Sequence, residues 1–332
     1  MQYRYLGKSG LKISALSYGA WVTFGDQIDE KAAYQLMKTA YDAGVNFFDN
    51  AEGYAEGQAE TMMGNIIKKA GWKRSDLVLS TKIFWGGNGP NDMGLSRKHI
   101  AEGTDAALQR LRTDYVDLVY CHRPDLHTPI EETVWAMNLL IQQGKALYWG
   151  TSEWSAEQIW QAYHIARREH LIPPQMEQPQ YNMFVREKIE KEYVNLYKKI
   201  GLGTTIFSPL SSGLLSGKYN TGMPDGTRLT LEGYGWLAAR FKGESGKRMI
   251  SKASELAEVA NALSVPLAQL SLAWCLLNPN VSSVITGASK IEQVKQNMKA
   301  FDTLPKLTPE IIEKIEQILQ NKPHQEEDLR EE

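Results

Sequence analysis

An α/β barrel of eight parallel strands is the fold this sequence predicts, and three observations predict it. Short β-branched or aromatic runs alternate with longer segments of helical spacing, the pattern of a parallel sheet with crossover helices. Eight such runs occur, each with a helical pattern behind it, which is the count of a (β/α)8 TIM barrel. A chain of 332 residues would average about two domains, yet a barrel takes that length as one and no stretch reads as an interdomain linker.

The opening segment sets the turn residues GKSG between YRYL and LKIS, so it reads as an N-terminal β-hairpin whose alternation suits a lid over the barrel's bottom. Strands are then expected at 16–21, 45–49, 77–83, 116–122, 146–152, 176–181, 204–210 and 282–289. Helical patterns between them cover 30–43, 58–70, 97–111, 131–143, 156–169, 187–200 and 251–277, with 290–300 and 309–319 after the last strand. Helix punctuation agrees. Ser155 stands where it can cap AEQIWQAY, and Thr308 with Pro309 joins a capping residue to a proline at the first helical position. Gly44 and Gly144 follow their helical patterns as C-terminal stops. One segment breaks the rhythm: 211–250, Gly-rich and polar, would leave the seventh strand on the barrel's C-terminal face, where active sites sit.

Composition removes several classes of function. Apolar residues at 42% and charged residues at 23% are ordinary for a globular chain, which excludes disordered, collagen-like and coiled-coil readings. The formal charge is −2, and Glu326, Glu327, Asp328, Glu331 and Glu332 crowd the end of the chain beside Arg330. Without this acidic tail, 323–332, which is expected to be mobile, the body of the single domain stands at +2. Such a near-neutral body lacks the concentrated cations that nucleic acid requires. Cys121 and Cys275 lie in apolar runs without metal-ligand spacing, which fits a reducing compartment and excludes structural zinc. The first residues lack the apolar stretch of about 7–15 residues found in a secretory signal, and nothing approaches the ~18 apolar residues of a membrane span. A cytoplasmic protein is expected.

On parallel barrel strands, polar residues at C-terminal ends converge on one pocket: Asp49 after the second strand, Lys82 near the end of the third, His122 ending the fourth. Tyr54 follows Asp49 by five positions. A lysine preceded by LVLST is almost never buried alone, so a pair between Lys82 and Asp49 on the neighbouring strand is expected. The ammonium beside Tyr54 would favour the phenolate and lower a pKa that starts at about 10, making the tyrosine a usable proton donor, while His122 hydrogen-bonds a substrate carbonyl. Taken singly, Asp49 also fits a loop cap, Lys82 a snorkelling strand-end lysine and His122 a hydrogen-bonded core histidine. Their spread over three neighbouring strands favours the functional reading.

The runs GVNFFDNAEGYAEGQAETMMG, STKIFWGG, YVDLVYCHRPD, WGTSEWS, EQPQYNMF, FSPLSSGLLSGKY and TGASKIEQVKQN together resemble the aldo-keto reductase superfamily, most closely the branch containing the voltage-gated potassium channel β subunits. The resemblance covers about residues 1–322, with motifs in order on seven of the eight strands. It implies a barrel that binds NADPH across its C-terminal face and reduces an aldehyde or ketone by hydride transfer. It makes Tyr54 the general acid, with Lys82 and Asp49 tuning it and His122 orienting the carbonyl. Channel β subunits often carry asparagine at the position of His122, so histidine here favours turnover.

The resemblance also assigns cofactor contacts to Trp21, Ser152, Gln178, Phe207, Ser208, Pro209, Leu210, Ser211, Lys218, Arg228, Gly287, Ser289, Gln293, Gln296 and Asn297. Within that set Gln178 can bond the nicotinamide amide, Phe207 can stack on its ring, and Lys218 and Arg228 can reach phosphates from the long loop. Arg228 is the first choice for the 2′-phosphate and Lys290 the second, although each of these cations also fits an exposed surface charge. Ser289 and Lys290 open a helix whose backbone N–H groups favour an anion. Phe207 stands where close relatives often have Trp, and Glu153 where channel subunits have Arg, which puts one polar contact in doubt. The resemblance places Trp21, Trp85 and Trp236 in a substrate pocket suited to small aldehydes or ketones. Gly201-Leu202-Gly203 is an incomplete dinucleotide fingerprint that precedes a strand, so a Rossmann site is not supported.

Three functions stay open on the sequence. They are an NADPH-dependent carbonyl reductase, a redox-sensing regulatory β subunit of a potassium channel, and a non-redox barrel using Lys82 for Schiff-base chemistry. His122 weighs against the second, the loop cations and Ser289 against the third. A homo-tetramer is implied only by the resemblance to channel subunits.

Overall fold

Residues of alternating direction send one face of each short strand inward and the other toward a surrounding helix. The result, in a computed structural model that describes residues 1–21, 23–25, 27–219, 235, 239, 243–324 and 330, is a closed parallel barrel. An antiparallel hairpin comes first, β1 (Tyr3–Tyr5) and β2 (Lys12–Ser14). The barrel strands are β3 (Leu16–Gly19), β4 (Phe47–Asp49), β5 (Val78–Ile83), β6 (Val116–Cys121), β7 (Ala146–Ser152), β8 (Met176–Gln178), β9 (Gly203–Ile206) and β10 (Val281–Thr286). They pair in chain order, and β10 closes the ring by pairing in parallel with β3. The helices between them include α1 (Glu30–Asp42), α2 (Gln58–Ala70), α3 (Arg97–Leu111), α4 (Ile130–Gln142), α5 (Ala156–Arg168) and α6 (Val194–Ile200).

The two faces of the strands make two cores. Phe48, Leu79, Val119 and Trp149 point outward and pack under the helices. Phe47, Val78, Leu118, Tyr120 and Met176 fill the barrel's interior, where Leu6 and Ile13 of the hairpin segment join them. The hairpin is therefore the bottom lid its alternation predicts. Arg4 pins it in place, its guanidinium donating to the carbonyl oxygens of Leu276 at 2.6 Å, Val281 at 2.6 Å and Asn278 at 3.3 Å.

The sequence-predicted limits hold for α2, α3 and the last helix, Pro309–Leu319, and fail in four places. Four strands, β3, β8, β9 and β10, stop two to four residues early because their ends run into the loops that build the top face, as at 207–210. The segment 187–200 is a π-type turn over Lys188–Glu192 followed by α6. The segment 251–277 is two helices, Gly243–Ala262 and Leu267–Leu277, broken where Ser264 turns left-handed at φ 54° before Pro266. The first of these starts at Gly243, so the loop expected over 211–250 is shorter at its far end. Capping follows expectation at α5, where Ser155 and Gln158 form a reciprocal capping box. Gly44 and Gly144 take positive φ as C-terminal stops. No single described helix is long and apolar enough to cross a membrane.

Candidate active site

At the upper rim of the barrel, the period-two alternation that puts Phe47 and Val78 in the core also directs Asp49 and Lys82 inward. Both are buried, at 3% and 0% exposure, and a lone charge at that depth would be costly. The cost is met by full pairing. Lys82 Nζ donates to Asp49 Oδ2 at 2.6 Å, to the Asn50 carbonyl oxygen at 2.8 Å and to Tyr54 Oη at 3.1 Å. Three bonds use all three ammonium protons. Asp49 Oδ1 in turn accepts from Ser80 Oγ at 2.8 Å and Gln178 Nε2 at 3.0 Å. Burial works against the ammonium, but Asp49 and Tyr54 outweigh it and hold Lys82 above the ordinary lysine range. An ammonium held above its ordinary range with all three protons bonded offers no lone pair for Schiff-base chemistry, so the site does not fit that reading.

Tyr54 sits on a strained turn, followed by Ala55 at φ 47° and Glu56 at φ 52°, both left-handed, then Gly57 at φ 83°. Close packing fixes this turn. A Cβ at Gly53 would lie 2.9 Å from the Trp85 carbonyl oxygen, and Glu52 Oε1 accepts from Phe84 N–H at 2.6 Å while bonding His99 Nε2 at 2.9 Å. The loop carrying Tyr54 and the loop carrying Trp85 are thus held as one wall. The expected lowering of the Tyr54 pKa is reversed. Burial raises it above the ordinary phenol value, and Lys82 only partly opposes the shift. Burial likewise drives His122 well below the ordinary imidazole value, assisted by Lys82 and Arg123, so its ring is neutral. The buried His122 Nδ1 has no hydrogen-bond partner among the described residues. Its ring lies edge-on to Tyr54, with centroids 5.7 Å apart, and to Trp85 at 4.8 Å.

A cavity of 1210 Å³ opens over these groups. Its walls bring together Trp21, Trp85, Tyr54 and His122 with Ser152, Gln178, Phe207, Ser208, Pro209, Leu210, Lys218, Gly287, Ser289, Lys290, Gln293, Gln296 and Asn297. Ser211 is buried beneath the loop and absent from the wall, and Ser212 stands there instead. Left-handed backbone at Ser208, Ser211 and Ser212 tightens this loop. Gly213 follows at φ 96°, where a Cβ would meet the Lys218 side chain at 2.5 Å, so the glycine lets Lys218 fold across the loop. Arg228 and Trp236 lie outside the described residues.

Three of these positions have local partners of their own. The Gln178 amide nitrogen is already engaged by Asp49 and by Thr205 Oγ1 at 3.4 Å. The backbone N–H groups of Ser289 and Lys290 donate to Gln293 Oε1 at 3.0 and 3.1 Å, so the side chain of Gln293 occupies the place expected for an anion. Glu153, at φ 61°, accepts from Gln180 N–H at 2.5 Å and pairs with Lys188 at 3.4 Å, which accounts for its charge at the cavity wall. Sequence reasoning missed Arg123. Strict alternation would turn it away from His122, but β6 ends at Cys121 and both side chains face the cavity. The cation directly after a strand's C-terminal histidine was the available signal.

The residues also fit an extended cofactor. The cavity exceeds the roughly 300–1,000 Å³ of a small-ligand site, and it offers an aromatic face at Phe207 together with the exposed ammonium groups of Lys218 and Lys290. Comparison with known proteins agrees with this architecture. The model of the aldo/keto reductase family matches residues 15–320. A probable voltage-gated potassium channel subunit beta of Arabidopsis thaliana is 58% identical over 331 residues, spanning 99% of this chain and 100% of that protein. A protein of the same name from Oryza sativa subsp. japonica is 57% identical over the same spans. With the barrel and its rim in place and the match running over nearly its whole length, the chain belongs to the aldo/keto reductase family.

Proposed function

We propose that this protein reduces aldehydes and ketones to alcohols with NADPH, Tyr54 acting as general acid. The observation that carries the reading is the bond from Lys82 Nζ to Tyr54 Oη. An ammonium donates and cannot accept, so it takes a lone pair of the phenol oxygen and leaves the phenol's own proton for a ligand in the cavity. NADPH, when bound, supplies the hydride to the carbonyl carbon. Tyr54 passes its proton to the carbonyl oxygen as charge builds there, and the charged Lys82, fixed by Asp49, stabilises the phenolate left behind. Neutral His122 holds the carbonyl through a ring nitrogen, and Trp21, Trp85 and Phe207 shield the reacting atoms from water. Lys218, Lys290, Gln296 and Asn297 hold the cofactor's remote end, with Arg228 and Lys290 assigned to its 2′-phosphate.

The test is an NADPH-oxidation screen of purified protein against aldehydes, ketones and sugars. Consumption that depends on both protein and carbonyl is expected, and its absence across all three classes would overturn the reading. A second reading rests on the two relatives' names: a regulatory β subunit that binds NADPH to sense redox state on a potassium channel. Copurification with a channel protein would establish it.

A further inference from the structure

Arginine is seldom left half-buried without an anion, and in this fold Arg74, Arg110 and Arg186 meet the carboxylates of Asp117, Glu60, and Glu190 with Glu316. Arg4 is satisfied instead by three backbone carbonyl oxygens, whereas Arg123 bonds one carbonyl oxygen and one hydroxyl, both through Nη1. It lines the cavity beside Tyr54 and His122 and meets no carboxylate among the described residues. Glu153 on the same wall is engaged by Gln180 and Lys188. The Arg123 guanidinium is nonetheless held in a fixed place. Nη1 donates to the His122 carbonyl oxygen at 2.5 Å and to Ser152 Oγ at 3.3 Å, while its carbon lies 5.3 Å from the Trp85 ring centroid and 5.9 Å from that of Phe207. Nε and Nη2 make no bond to the described residues. A side-on pair of N–H donors, oriented by two aromatic rings, matches the two oxygens of a carboxylate.

We infer that Arg123 receives a carboxylate on the substrate, so that the carbonyl compounds this site prefers are oxo-acids. The inference rests on the reductase reading and deepens it. The lone cation suits a single negative charge, while Lys218 and Lys290 stand elsewhere on the wall among the residues assigned to the cofactor. His122 and Arg123 are neighbours in the chain, so a carboxylate bound by one places a carbonyl a short distance away at the other.

The full-length protein with NADPH is assayed on benzoylformate and on 4-carboxybenzaldehyde, each against its methyl ester, as wild type, Arg123→Gln and Arg123→Lys. A general effect of the guanidinium on Tyr54 acts on acid and ester alike and cancels in the ratio of their kcat/KM values. In Arg123→Gln that ratio should fall about 10-fold or more for at least one pair, chiefly through KM, with partial recovery in Arg123→Lys. An unchanged ratio in both pairs overturns the inference. Titration of benzoate, with benzamide as the neutral control, against tryptophan fluorescence gives a readout free of turnover. Wild type should prefer benzoate and Arg123→Gln should lose the preference; a preference that survives the substitution, or is absent from wild type, overturns it. If benzoate requires Arg123 but no carbonyl is reduced, the reductase reading falls and the anion subsite stands. A weakening of NADPH binding as large as that of benzoate in Arg123→Gln would reassign the residue to the cofactor and overturn the inference.

Discussion

Lys82 is the residue through which the site's polar groups communicate, because its three protons reach Asp49, Asn50 and Tyr54 at once. Two outcomes follow from that arrangement. Tyr54→Phe removes the proton donor but no packing, so NADPH quenching of protein fluorescence should be retained while carbonyl reduction falls by about 100-fold or more. Lys82→Met strands the Asp49 carboxylate in the interior and should lower unfolding free energy by about 3–5 kcal/mol in urea titrations, with Asp49→Asn added to the same chain recovering part of the loss. The Asp49–Lys82 pair was legible in the sequence because a lysine inside an apolar strand demands a partner. The direction of the Tyr54 shift was not, since the balance between desolvation and a neighbouring charge depends on depth in the folded protein. Arg123 escaped for a different reason: its direction is set by where β6 stops, and a strand's last residue is the least readable feature of a pattern.

Helices with a full amphipathic stripe and a good stop signal were read to the residue, as in α2, which ends before left-handed Gly71. Where the chain folds by other rules the pattern misled: Leu267–Leu277 is apolar nearly all round, so it merges by periodicity with the helix before it, and only Pro266 marks the break. The capping box at α5 offers a clean measurement at this scale. Ser155→Ala should cost about 1 kcal/mol of stability, read as a lower urea midpoint at unchanged slope, and should leave carbonyl turnover intact because α5 lies outside the cavity wall.

Across the whole molecule, titration sets two broad dependences on pH. On the proposed mechanism, reduction needs neutral His122, whose burial holds it well below the ordinary imidazole range, and protonated Tyr54, whose burial raises it above the ordinary phenol range, so kcat/KM should stay level across neutral and mildly alkaline pH. Stability should behave differently. Glu177 faces outward from β8 into the packed interior, where burial pushes its pKa up to about 8 from 4.5, and Thr151 donates to it. Between those values the folded chain holds a proton that the unfolded chain has lost, so stability should fall as pH rises from 4.5 to 8. Glu177→Gln should flatten that slope in thermal melts taken across the range. The seam between β3 and β10 carries a consequence of another kind. One edge of β3 pairs early with β4, but its other edge can pair only with β10, and Arg4 finds the Val281 carbonyl 277 positions away. During synthesis that open edge of β3 must therefore wait, unpaired, until β10 has emerged. Ring closure is a contact of very long range, so slow folding is the expected outcome. A truncation ending before Val281 should show this directly, binding a hydrophobic dye strongly and aggregating where the full chain does not.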